Sequence, residues 1–126
     1  MKLLLDTHVV LWQLEGSRAV GTNAQEAIEH ASELLFSVVS FAEIGIKAAI
    51  GKLVVPDEIA RQITDSGLRI LTLAPEHGLG VAALPVHHRD PFDRLLISQA
   101  RAERLTIVTA DARIAAYDVD TIDAAA

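Results

Sequence analysis

The chain has 126 residues, 51% of them hydrophobic, which suits one domain with one apolar core over residues 1–126. It has no cysteine, so a disulfide scaffold and a thiolate metal site are excluded, in keeping with a reducing cytoplasm. Its formal net charge of -6 argues at first against a nucleic-acid partner, because a neutral or basic surface attracts phosphates better.

Residues 2–6 read as a short buried strand. Its run Leu3-Leu4-Leu5 is too short for a signal peptide or a membrane-spanning helix. Thr7 to about Glu15 reads as a helix stopped by Gly16. Thr22-Asn23-Ala24-Gln25 fits a capping box that opens a second helix. Residues 34–38 form the next expected strand. Ser40-Phe41-Ala42-Glu43 is another capping-box match, opening a helix that ends near Gly51. A helix from Pro56 to about Ser66 stops at Gly67, a strand follows over 69–73, and a short helix runs from Pro75 through Leu84. Pro85 to Arg89 is a loop. Asp90-Pro91-Phe92-Asp93 predicts a helix start, with Asp at N-cap, Pro at N1 and an acid at N3. Phe92, Leu95, Leu96 and Ala100 then share one face. Residues 106–109 read as a strand, Asp111 opens a last helix from Ala112 to Tyr117, and 119–122 fits a fifth, edge strand. Residues 123–126 read as a frayed tail. Strands separated by helices imply βαβ units, hence an α/β fold on a mainly parallel sheet of four to five strands.

In such sheets ligands bind beyond the carboxyl ends of the strands. Asp6 and Asp111 follow strands; Glu43 and Asp93 fall in expected first turns of helices. Two like charges about 4 Å apart cost roughly 1 kcal/mol in water and about 4 at an effective dielectric of 20. Four acids at one sheet edge make sense around a hard divalent cation, and oxygen-only ligands favour Mg²⁺ or Mn²⁺. Each acid also has a local explanation: Asp6 and Asp111 as helix caps, Glu43 in a capping box. It is the four together that point to a metal-dependent phosphoester hydrolase. Asp90 is assigned to capping and support, Asp93 to the metal, and Thr7 and Thr109 to support beside the acids. Arg89 and Arg94 flank the acids, with Arg101 and Arg104 close behind. They offer phosphate contacts that offset the net charge; the plainer alternative is a solvated helix face, or Arg94 paired with a local acid. His87-His88 read as idle loop histidines and His8 as part of the first helix's packing. There is no Ser/His/Asp or Cys/His set, and Gly51-Lys52 lacks the rest of a phosphate-binding loop.

Five runs carry a family likeness: Leu5-Asp6-Thr7-His8-Val9-Val10-Leu11-Trp12, Ser37 through Lys47, Gly51-Lys52-Leu53, His88-Arg89-Asp90-Pro91-Phe92-Asp93-Arg94-Leu95-Leu96 and Thr109-Ala110-Asp111. In this order the chain resembles the PIN-domain ribonucleases, more narrowly the VapC toxins of bacterial toxin–antitoxin pairs. The resemblance implies a three-layer α/β/α fold and an acidic site on Asp6, Glu43, Asp93 and Asp111. It also implies Mg²⁺ dependence, with Mn²⁺ as a substitute, RNA cleavage, a small VapB-like antitoxin and a homodimer. Ala42 stands where such proteins often carry Trp, which touches local packing rather than chemistry. Attack by a metal-activated water would leave a 5′-phosphate and a 3′-OH. A phosphatase with Asp6 as nucleophile is disfavoured, since His8 stands where the second acid of Asp-x-Asp belongs. The other alternative is a non-catalytic Mg²⁺-binding regulatory or antitoxin-binding domain. The apolar segments Asp6 to Trp12 and Phe41 to Ile50 predict a groove for an antitoxin helix.

Overall fold

The alternation of apolar runs and capped helices builds a layered α/β molecule. A computed structural model describes residues 1–126. The strands are β1 (Lys2–Leu5), β2 (Glu33–Ser37), β3 (Arg69–Leu71), β4 (Thr106–Thr109) and β5 (Thr121–Asp123). They form one five-stranded sheet in the order β3-β2-β1-β4-β5, and every pairing is parallel. β1 is central, with Leu3 opposite Leu34 on one side and Leu5 opposite Val108 on the other. Leu3, Leu4, Leu5, Ile107 and Val108 are all buried. A continuous apolar run of this kind fits a strand covered on both faces.

The helices are α1 (Thr7–Glu15), α2 (Thr22–His30), α3 (Val38–Ala49), α4 (Ile59–Asp65), α5 (Pro75–Gly80), α6 (Pro91–Glu103) and α7 (Ala112–Ala115), with a 3-10 turn at Val81–Ala83. The period of two along β1 sorts its leucines between two cores. Leu3 and Leu5 join Val9, Val10, Phe36, Ile44 and Ile63. Leu4 faces the other way, with Val39, Leu96, Ile97, Ile107 and Ile114. This is the expected three-layer α/β/α arrangement. No helix is long and apolar enough to cross a membrane.

Several local expectations shift. Ser37, not Ser40, caps α3: its Oγ accepts the Val39 N–H at 3.0 Å. Helix therefore begins three residues earlier than a Ser40 cap requires, and Glu43 falls in its second turn. Thr22 is not a cap either, because α2 takes Gly21 as N-cap without a side-chain bond. The reason lies at the far end of the chain. The Asn23 N–H donates to Ala126 O at 2.8 Å and the Gly21 N–H to Ala124 O at 2.9 Å. Backbone carbonyls of the tail thus satisfy two donors at the start of α2, and the Gln25 N–H closes the first turn on Gly21 O at 2.9 Å. The same bonds correct the frayed tail of 123–126: Ala124 is buried, and Asp123 ends the edge strand. A Cβ on Gly21 would meet the Ala126 carbonyl carbon at 2.1 Å, so only glycine fits beneath the tail. Other boundaries are shorter than expected. β3 ends at Leu71, α4 begins at Ile59, α7 ends at Ala115, and β5 starts at Thr121 rather than Val119.

Candidate active site

The carboxyl ends of β1 and β4 lie side by side, and each delivers an acid. Asp6 continues β1, its N–H donating to Val108 O at 3.0 Å. It occupies the N-cap of α1, yet its side chain makes no capping bond. The carboxylate turns instead to Thr109, whose Oγ1 donates to Asp6 Oδ2 at 2.8 Å. Thr109 Oγ1 also accepts the Asp111 N–H at 3.0 Å, so one hydroxyl sets both the acid of β1 and the loop after β4. Thr7 works one layer away, donating to Ser40 Oγ at 2.7 Å and tying α1 to α3.

Glu43 enters from α3 and is 2% exposed. Its Oε2 meets Lys47 Nζ at 2.5 Å, one turn along the same helix. His8 Nε2 stands 4.0 Å from that oxygen. His8 is therefore directed at the acids and is half-buried, not packed within the first helix as expected. Asp93 comes from the first turn of α6, where the Asp90 side chain caps by accepting the Asp93 N–H at 3.0 Å. The capping role expected of Asp90 matches this geometry.

Asp111 is arranged differently. It caps α7 by accepting the Arg113 N–H at 2.9 Å. Arg113 also grips it with Nε on Oδ1 at 3.1 Å and Nη2 on Oδ2 at 2.8 Å. Both oxygens are engaged. Asp6, Asp93 and Asp111 line one cleft of about 330 Å³, together with His8, Trp12, Arg18, Ala110, Ala112 and Arg113.

The charges respond as this layout requires. Burial pushes the Asp6 carboxyl up and the nearby Glu43 adds to it, while the Thr109 hydrogen bond and His8 oppose. Asp93 is raised to about 6, chiefly by burial, against the His88 hydrogen bond and with repulsion from Asp90, Asp6 and Glu43. Asp111 is lowered, mainly by its hydrogen bonds from Arg113. Burial opposes the Lys47 ammonium, but its bond to Glu43 and the charges of Glu43, Asp90 and Asp93 hold its pKa above the usual value.

Two buried side-chain oxygens have no hydrogen-bond partner: Asp6 Oδ1 and Glu43 Oε1. An orphaned buried acceptor costs about 1–3 kcal/mol, more when charged. Two on mutually repelling carboxylates fit a site whose missing ligand is a cation. With oxygen donors only, Mg²⁺ or Mn²⁺ matches the chemistry. A rival cluster exists at the opposite end of α6, where ligand atoms of Glu76, His77 and Glu103 lie within 4.8 Å of one another. It does not suit a metal. His77 Nδ1 accepts the Ala74 N–H at 3.0 Å, so the ring proton sits on Nε2, facing Glu103 Oε1 at 2.9 Å. The lone pair a cation would need is absent.

Two parts of the site were not foreseen from sequence. His88, expected to be an idle loop residue, has a nearly buried side chain, and its Nε2 lies 3.1 Å from Asp93 Oδ2. Its Nδ1 lies 3.2 Å from the Tyr117 hydroxyl. An ionised Asp93 can only accept, so Nε2 donates to it, while the Tyr117 hydroxyl donates to His88 O at 3.3 Å and so holds the loop beside the ring. Arg94, for which pairing with a local acid was the plainer alternative, has no acid partner. Its guanidinium donates to Pro85 O at 2.8 Å, Tyr117 Oη at 3.0 Å and Val81 O at 3.3 Å. It pins the loop that carries His88. Arg89 is exposed, as a substrate contact would require.

The result is a three-layer α/β domain whose all-parallel sheet carries acids at its carboxyl edge. Residues 3–120 match the PIN domain family, and the chain belongs to that family. Ribonuclease VapC22 of Mycobacterium tuberculosis (strain ATCC 25618 / H37Rv) is 29% identical over 123 residues, covering 91% of each chain. Among solved structures, VapBC2 from Rickettsia felis bound to a promoter DNA fragment has TM-score 0.73 at 17% identity, covering 97% of this chain and 98% of that one. DNA-bound VapBC from Salmonella typhimurium has TM-score 0.71 at 15% identity, covering 98% of both. These two likenesses establish the fold.

Proposed function

We propose that this chain is the toxin of a toxin–antitoxin pair, a cytoplasmic endoribonuclease that needs Mg²⁺ or Mn²⁺. The observation that carries the reading is the pair of buried, partnerless oxygens, Asp6 Oδ1 and Glu43 Oε1, beside Asp93. Kinship to a protein named as a ribonuclease supports the substrate class. Likeness to VapBC complexes supports a VapB-like antitoxin partner, and the family resemblance supports a homodimer. Residues 1–126 act as one PIN domain.

Asp6, Glu43 and Asp93 would hold the cation, with Asp111 on the cleft wall turned by Arg113. Bound there, a divalent ion would lower the pKa of a water, aim it at phosphorus and offset charge on the phosphoryl oxygens. Thr109 keeps Asp6 Oδ2 engaged, so Oδ1 is the oxygen that would be free to bind a cation. His88 does the same for Asp93 through Oδ2. Lys47 shields Glu43 Oε2 and leaves Oε1 free. Arg89 contacts the RNA backbone. With water as the nucleophile, the products carry a 5′-phosphate and a 3′-OH.

The test is digestion of RNA by purified chain in Mg²⁺, Mn²⁺ or EDTA, with the ends mapped by sequencing. Cleavage only with metal and 5′-phosphate ends support the reading. Ends bearing 2′,3′-cyclic phosphate would identify the ribose as nucleophile and refute it. Binding of Mg²⁺ without any cleavage would leave only a metal-binding regulatory domain.

A further inference from the structure

Trp12 is the chain's single tryptophan. It follows His8 by one turn of α1, and both line the acid cleft with Arg18. Trp12 is half-buried and packs against the core cluster that contains Leu5 and Val9. The Arg18 guanidinium carbon lies 4.2 Å from the ring centroid. Arg18 is exposed and belongs to none of the ion pairs in the molecule. The other arginine of the cleft, Arg113, is committed to both oxygens of Asp111. Arg18 is thus the cleft's uncommitted cation in a chain of net charge -6. It sits over the indole ring and makes no ion pair with the acids beside it.

An exposed cation–π pair contributes only about 0.5–1 kcal/mol. That is enough to pin the Gly16–Gly21 loop, but it does not explain why the pair borders the acids. A flat cation on a flat ring is a surface on which a nucleobase stacks, while its positive charge favours the adjoining phosphate. A cleft of about 330 Å³ is at the small end for a ligand pocket. That is of the order of one nucleotide. Bases in a duplex have their faces already stacked, so the surface suits an unpaired strand.

We infer that Trp12 and Arg18 form a base-stacking subsite for the nucleotide next to the phosphate held at the acids, in single-stranded RNA. This rests on the nuclease reading of the same cleft. The subsite is indifferent to base identity, because every base offers a π face. It would hold the strand beside the acids without deciding which sequence is cut.

Trp12 reports on its own occupancy. Its emission is followed while wild-type protein is titrated with two single-stranded RNA oligonucleotides of equal length and charge. One is complete; the other is abasic at its central positions. Ca²⁺ replaces Mg²⁺ to slow cleavage, and strand integrity is checked on a denaturing gel. The complete strand should quench Trp12 and bind roughly tenfold more tightly than the abasic one. Arg18→Gln, an exposed change, should shrink that preference while leaving Tm close to wild type. Trp12→Leu should abolish it, read by fluorescence anisotropy of labelled RNA. Equal affinity for the two strands, or no quenching at saturation, overturns the subsite. RNA cleavage in Mg²⁺ by a protein that shows no base preference would defeat the subsite alone. Quenching with base preference but no cleavage under any metal would defeat the nuclease reading alone.

Discussion

Replacing Asp6 by Asn should stabilise the metal-free protein and destabilise the metal-loaded one relative to wild type. Asp6 is 5% exposed, has one oxygen on Thr109 and the other without a partner, and feels the charge of Glu43. Burial raises its pKa, which means that its ionised form is unfavourable where it stands. Asn keeps the shape and can still accept from Thr109. It removes one anion from the cluster and offers an N–H₂ toward it. Taking away a partnerless charged acceptor should return about 2 kcal/mol. At about 2.1 cal/mol/K of unfolding entropy per residue, a chain of 126 residues shifts its Tm by roughly 4 °C per kcal/mol. The variant should therefore melt roughly 8 °C above wild type in EDTA. Wild type at a hundredfold excess of Mg²⁺ over Kd gains about 2.7 kcal/mol, or about 10 °C, which the variant should largely forgo. Differential scanning calorimetry in EDTA and across a Mg²⁺ series gives both numbers. A variant that melts below wild type in EDTA, or gains as much from Mg²⁺, would refute the assignment of Asp6 Oδ1 to a cation.

His88→Ala should lower RNA cleavage by about 10- to 100-fold and raise the Mg²⁺ concentration for half-maximal rate, because Asp93 loses the donor that holds Oδ2; an unchanged Mg²⁺ requirement would count against the link. Arg94→Ala should lower the unfolding free energy by about 2–4 kcal/mol in calorimetry, with Arg94→Lys unable to restore it, since one ammonium cannot span Pro85 O, Val81 O and Tyr117 Oη. Arg89→Ala should instead leave Tm alone and flatten the salt dependence of RNA binding by about 0.7 log unit. Asp93 is raised from 3.8 to about 6, so between those values the folded state binds the extra proton; without metal, stability contributed by Asp93 is present below about pH 4 and lost as pH rises through about 6. Mg²⁺ competes with that proton, so its stabilising effect should grow over the same interval, and urea melts at pH 4.5, 6 and 7.5 with and without Mg²⁺ will show whether it does.

The frame of the molecule is written in local patterns that need no long-range information. The run Leu3-Leu4-Leu5, the stop at Gly16 and the start Asp90-Pro91-Phe92-Asp93 each determine an element by themselves. Gly16 is legible because its φ of 65° closes α1 in a left-handed turn. Asp6 and Glu43 were legible as a pair only through their companions, since each has a local capping explanation that geometry rejects. Ser40 fails as a cap because Ser37, already at the end of β2, offers its hydroxyl first. His88 was illegible for another reason. Its importance comes from Tyr117, 29 residues away, which reaches back to the loop and holds the imidazole beside Asp93. Arg94 followed a charge argument that ignored the carbonyls left bare by the Pro85 turn. Arg18 and Trp12 meet across a bend in the chain, and only the fact that aromatic side chains attract guanidinium groups hinted at it.

The position of β1 has a consequence for how the molecule is made. It is the first strand to be synthesised, yet it lies between β2 and β4. Its last contact, Thr109 to Asp6, joins residues 103 apart. At about 5–20 residues per second, a growing chain spends roughly 5–20 s between making Asp6 and making its partner. Throughout that interval β1 has one bare edge and Asp6 has no threonine to orient it. Asp93 and Asp111 are also made late in that span or just after it. A domain built this way leaves the ribosome with its acids unassembled. The order of the strands keeps the acid cluster open until β4 has been made and has docked beside β1.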